Sequence, residues 1–90
     1  MKIRAHVKIS GRVQGVFFRA YTKQRADRLG VKGWVRNLPG GDVEAVFEGE
    51  ESAVNELLDY SRYGPSRAVI TGIEVTYESF RGEFENFNAE

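Results

Sequence analysis

From Ile3 to Ile9 the chain alternates, with Ile3, Ala5, Val7 and Ile9 on one face and Lys2, Arg4, His6 and Lys8 on the other. A period of two marks a strand with one buried face. Ser10 to Gly15 breaks the alternation. From Phe18 the period becomes helical, with Phe18, Thr22, Ala26 and Leu29 on one stripe, Gln24, Arg25 and Arg28 off it, and Gly30 as the stop. Val31 to Asn37 and Asp42 to Phe47 are two further strand-like runs. The Leu38-Pro39-Gly40-Gly41 between them suits a tight hairpin, because proline presets a turn dihedral and glycine accepts positive φ. Val43, Ala45 and Phe47 share a face opposite Glu44 and Glu48.

A second helix is predicted from Ser52 to Tyr63, with Val54, Leu57, Leu58 and Ser61 inward. Glu50 and Glu51 lie at the positive end of its dipole, Arg62 lies at the negative end, and Gly64-Pro65 stops it. Val69 to Tyr77 reads as a fourth strand with Ile73, Val75 and Tyr77 inward, and Phe84 to Ala89 is a candidate edge strand. The order βαββαβ predicts an α+β fold: a ferredoxin-like two-layer sandwich with two helices on one face of a mostly antiparallel sheet.

Charge changes the picture in one respect. The 13 basic and 13 acidic side chains cancel overall. Residues 1 to 38, however, carry ten basic groups and one acid, and residues 39 to 90 carry three basic groups and twelve acids. This split implies an anion-binding first half, an interleaved fold in which the halves pair, or both. In the predicted topology the first strand is central, between the third and the fourth. Lys2, Arg4 and Lys8 then face Glu44, Glu48, Glu74 and Glu78 on the exposed side of the sheet, in cross-strand pairs worth about 0.2 to 1 kcal/mol each. His6, among them, is expected to be a solvated surface histidine.

Composition narrows the chemistry. A chain of 90 residues is expected to form one domain, residues 1 to 90, of ~12 Å radius of gyration. With no cysteine and one histidine, disulfides, Cys–His catalysis and multi-histidine metal sites are excluded. Carboxylates, hydroxyls, arginines and backbone amides are left as the reactive inventory. No apolar run approaches the ~18 residues of a membrane span, and the first residues hold no apolar signal core. The expectation is a cytoplasmic protein with no membrane partner.

Two segments carry candidate chemistry. Gly11-Arg12-Val13-Gln14-Gly15-Val16-Phe17-Phe18-Arg19 leads from the first strand into the first helix. Its glycines let the backbone turn so that successive amides converge at a helix N-terminus, an arrangement that binds anions, and Arg19 could clasp two phosphoryl oxygens. It is neither a Walker loop nor G-x-G-x-x-G, and two glycines also serve in plain turns. The residues alone leave both readings open. Asn37, at the end of Gly33-Trp34-Val35-Arg36-Asn37, is equally readable as a turn former before Leu38-Pro39.

Together these two segments resemble the acylphosphatase family. Supporting likeness lies in Val43 to Gly49, in Gly64-Pro65 and in Gly82 to Phe87. The resemblance implies a ferredoxin-like fold and hydrolysis of a carboxyl-phosphate anhydride (an acyl phosphate) to carboxylate and inorganic phosphate, without metal or cofactor. It places the phosphate-binding arginine at Arg19 and the water-orienting asparagine at Asn37. Gln14, Gly15, Val16, Phe17, Phe18 and Arg19 then form the phosphate site. The chain departs from the family pattern after Phe87, where Asn88-Ala89-Glu90 replaces an alternating strand, so a short last strand is expected. A monomer is expected as well. RNA-recognition domains share the element order, but the third strand carries acids where those domains need stacking aromatics, and no nucleic-acid partner is expected. A non-catalytic domain that keeps the anion cradle is the remaining alternative.

Overall fold

The computed structural model describes residues Met1 to Glu90. Seven elements follow in order: β1 (Lys2–Arg12), α1 (Phe18–Leu29), β2 (Lys32–Asn37), β3 (Val43–Glu50), α2 (Glu51–Tyr63), β4 (Val69–Glu78) and β5 (Phe87–Ala89). The strands form one sheet in the order β4-β1-β3-β2-β5. All neighbours are antiparallel except β5, which runs parallel to β2. Both helices contribute to a single core with the inner face of the sheet, and the radius of gyration is 11.8 Å. This is the ferredoxin-like α+β sandwich. No helix is long and apolar enough to cross a membrane.

The alternation in β1 is what makes it central. Ala5, Val7 and Ile9 are buried against Phe18 and Ala26 of α1 and Val54, Leu57 and Leu58 of α2. β1 extends beyond the predicted Ile9 because a bulge between Ser10 and Gly11 shifts its register on β4 and pairing continues to Arg12. Gly11 has φ 124°, and a Cβ there would collide with the carbonyl of Val69. Glycine is therefore required where the strand turns toward the loop.

The outer face of the sheet is not simply solvated. Arg4 and Glu48 face each other across β1 and β3, and they are only 6% and 1% exposed because residues 79–86 lie against them. Arg4 Nη1 donates to Glu48 at 3.1 Å and to Glu83 at 2.6 Å, and its Nε donates to Glu78 at 3.0 Å. Glu48 also accepts the Arg81 backbone N–H at 2.9 Å. Burial alone lowers the Arg4 pKa, but the hydrogen bonds it donates to Glu83, Glu48 and Glu78 outweigh this and the net shift is upward. The charge halves of the chain are thus interleaved, as one of the two readings required.

Three expectations need correction. His6 is half-buried, and its Nε2 donates to Glu44 at 2.7 Å. Lys8 stands opposite Glu44 and Glu74 in register but pairs with Asp42 at 3.7 Å, because Glu44 is occupied by His6 and Arg36. Tyr77 does not enter the core. β4 is an edge strand, and the helix layer leaves the ring 60% exposed, with its hydroxyl donating to Asn55 Oδ1 at 3.4 Å.

Replacing Arg4 by Met keeps the volume but leaves Glu48 buried without its counter-charge. Urea unfolding is expected to show a loss of about 3 to 5 kcal/mol. A loss below about 1 kcal/mol, the value of a surface pair, would mean that water reaches Glu48.

Candidate active site

The loop from β1 to α1 ends in an unusual helix start. Phe17 is the N-cap residue of α1 with φ 64° and ψ 25°, the left-handed region. An L-residue with a side chain enters that region at a cost of roughly 1–2 kcal/mol. No side chain caps the helix, and its first turn holds no acid. The first amide to bond back into the turn is that of Tyr21, to the Phe17 carbonyl at 3.0 Å. The N–H groups of Phe18, Arg19 and Ala20 therefore have no acceptor within the helix, and the positive end of its dipole is uncompensated. Gly15, two residues earlier, has φ 73° and open space where a Cβ would be. Its backbone conformation, and not crowding, selects glycine there.

An open cavity of about 490 Å³ lies at this helix start. It is lined by Val13, Gly15, Phe17, Phe18, Arg19 and Ala20 from the loop and first turn, by Lys23 from the next turn, and by Asn37 and Ala89 from β2 and β5. Of the residues expected at the site, the fold brings together Gly15, Phe17, Phe18, Arg19 and Asn37. Phe18 also plugs the core, whereas the Phe17 ring is 76% exposed at the rim. The Val16 side chain is buried in the core and leaves only its backbone near the loop. Gln14 turns away, and its Nε2 donates to the carbonyls of Leu38 and Asp42, each at 2.8 Å.

Arg19 is held at the cavity by one donor. Its Nη1 donates to the main-chain oxygen of Glu90, the last residue, which leaves most of the five guanidinium N–H groups free. Lys23 and Ala89 were not anticipated. Lys23 is signalled in the sequence only by lying four residues after Arg19, one helical turn along the same face; its ammonium donates to the Phe87 carbonyl at 2.9 Å and to Asp27 at 3.1 Å. Ala89 arrives through β5, which pairs Gly33 with Phe87 and Val35 with Ala89. The strand is as short as expected, yet Phe87 anchors it, 1% exposed and 5.9 Å from the Phe47 ring.

Asn37 is fixed from behind by its own strand. It is the last β2 residue, paired with Val43, and the preceding Arg36 forks onto Glu44 Oε1 at 2.9 and 2.7 Å. Burial pushes the Glu44 pKa up, but its hydrogen bonds with His6 and Arg36 win, and the net shift is downward.

The acylphosphatase family model matches residues 5–89. The chain belongs to the acylphosphatase family. An acylphosphatase from Geobacter sulfurreducens is 56% identical over 88 residues, which is 98% of this chain and 97% of that protein. The crystal structure of the Bacillus subtilis acylphosphatase superimposes with a TM-score of 0.94 at 31% identity, covering 98% of both chains. An acylphosphatase from Coxiella burnetii gives 0.93 at 34% identity, covering 99% of this chain and 93% of that one. The activity of the acylphosphatase family is hydrolysis of acyl phosphates.

Two outcomes follow for the acylphosphatase scaffold. Phe17→Gly relieves the positive φ at the cost of a looser unfolded chain, and denaturant unfolding is expected to show a net gain of about 0.5 to 1 kcal/mol. A comparable loss would show that the exposed ring is packed. Because the Glu44 pKa is lowered in the folded protein, its contribution is fully present above the ordinary carboxylate range and is lost as pH falls through the lowered native value. The stability difference between wild type and Glu44→Gln is therefore expected to shrink in acid. A difference that stays constant down to the acid transition would contradict this.

Proposed function

We propose that this chain hydrolyses acyl phosphates at the cavity at the start of α1, with Arg19 and the loop amides binding the phosphoryl group and Asn37 orienting the attacking water. One observation carries the reading: an uncapped helix start, an arginine with free donors and an exposed asparagine share one cavity. Gly15 to Arg19 supply backbone N–H groups toward the phosphoryl oxygens, and the guanidinium adds a planar pair of donors.

The chemistry asks for little more. A carboxylate leaving group has a pKa near ~4, so it departs without a general acid. Water oxygen bonds to phosphorus as the bond from phosphorus to the acyl oxygen breaks, and that electron pair leaves on the carboxylate. The proton lost by the water passes to a phosphoryl oxygen of the substrate. The transition state is loose, with charge spread over the phosphoryl and leaving oxygens, and so fixed donors and correct positioning supply most of the catalysis. No step calls for a metal or an organic cofactor. One sheet and one core take in the described residues, which supports a single domain over residues 1–90, and we propose that it acts as a monomer in the cytoplasm.

The roles predict distinct kinetics with a simple aryl acyl phosphate. Arg19→Ala and Arg19→Lys are both expected to lower kcat/KM by about 10² to 10³, since an ammonium on a shorter reach cannot hold two oxygens in register. Inorganic phosphate is expected to inhibit the wild type competitively. A folded Arg19→Lys variant with near wild-type turnover would reduce Arg19 to a source of net charge, and noncompetitive inhibition by phosphate would put the anion elsewhere.

A further inference from the structure

Gln14 sits between the two halves of the site. It follows Val13, which is buried in the core, and precedes Gly15, which lines the cavity. Its side-chain amide points across to the β2–β3 hairpin, where both Nε2 hydrogens are used on the carbonyls of Leu38 and Asp42 at 2.8 Å. Two carbonyls can only be met by a group with two donors, so this pairing also fixes which end of the amide is nitrogen. Leu38 is the residue after Asn37, and Asp42 precedes Val43, the strand partner of Asn37. Gln14 therefore grips the hairpin at its base, immediately beyond Asn37.

The hairpin needs such a grip. Its own closure consists of Leu38 N–H to the Asp42 carbonyl at 2.8 Å and a longer Gly41 N–H to the Leu38 carbonyl at 3.3 Å. Its tip contains Gly40 and Gly41 at φ 97° and 109°, and paired glycines resist deformation least. Without a cross-link, the end of β2 and the phosphate loop would drift relative to one another. An attacking water displaced by ~1 Å can cost about 100-fold in rate.

We propose that Gln14 is a positioning residue that locks Asn37 in register with the phosphate loop. Its amide carries the alignment between anion cradle and water site, and it is not itself a ligand of the phosphate. The inference rests on the assignment of Asn37 to the water.

The test is a double-mutant cycle on the whole protein with an aryl acyl phosphate, using Gln14→Met, which keeps length but removes both donors, Asn37→Ala and the double variant, each shown to be folded by circular dichroism. Gln14→Met is expected to lower kcat by about 10- to 100-fold while the inhibition constant for inorganic phosphate stays within about threefold of wild type, since no phosphate contact is lost. In the Asn37→Ala background the same change is expected to alter kcat by less than about twofold, because there is no water-holding group left to misplace. An equal loss in both backgrounds, or phosphate affinity falling in step with kcat, would overturn the proposal. Full kcat in Asn37→Ala would instead overturn the assignment of Asn37 on which it rests. If Gln14→Met does not fold, side-chain amide exchange in the wild type decides: slow exchange of both Gln14 Nε2 protons is expected, and exchange at the rate of a free amide would overturn the clamp.

Discussion

An α-helix that begins without a cap is the constraint on which the rest of this structure depends. Ser, Thr, Asp or Asn at the N-cap is commonly worth about 1 kcal/mol, and here the position holds Phe17 in the left-handed region with no side-chain hydrogen bond. The strain and the missing cap act in the same direction, against stability, and both leave amides facing outward. The surrounding fold sustains them. β1 is paired on both sides, the Gly11 bulge turns it toward the loop, and Phe18 buries its ring directly after the strained residue. An anion is the partner that such a helix start lacks, because it would satisfy the amides and the dipole together.

The charge distribution serves the same end by subtraction. The basic first half of the chain meets the acidic second half across the sheet, where Arg4 takes Glu48, Glu78 and Glu83 and Arg36 takes Glu44. Arg19 lies outside these pairs: it has no side-chain carboxylate partner, and its one hydrogen bond goes to the main-chain oxygen of Glu90, the last residue. A side-chain carboxylate packed beside it would compete with a phosphoryl group for the same planar fork. The ion pairs that stabilise the fold therefore leave the Arg19 guanidinium without a side-chain counter-charge.

Much of this was readable from residue order because it is periodic. The two-residue alternation of β1 and the three-to-four-residue stripe of Phe18, Thr22 and Ala26 report burial directly, and the predicted α1 coincides with Phe18–Leu29. The cavity pairing of Arg19 with Asn37 followed from motif resemblance and not from spacing, since the two are separated by a helix and a strand. What escaped has no period. Residues 79–86 form neither helix nor strand, and their cover over Arg4 and Glu48 depends on single contacts such as the Arg81 N–H. The exchange of partners by His6, Lys8 and Glu44 reflects geometry within one register that residue types do not encode. Gln14 is the sharpest case. Its place in the motif suggested a phosphate ligand, but only the hairpin's approach shows that both of its donors are directed to Leu38 and Asp42.

The central claim is that the uncapped start of α1 holds the phosphoryl group, and titrating the ¹⁵N-labelled protein with inorganic phosphate tests it most directly. Saturable shifts of the backbone amides from Gly15 to Ala20 and of the Arg19 side-chain N–H groups are expected, with α2 and β4 unmoved. Shifts confined to another surface, or none at phosphate concentrations that inhibit turnover, would contradict it.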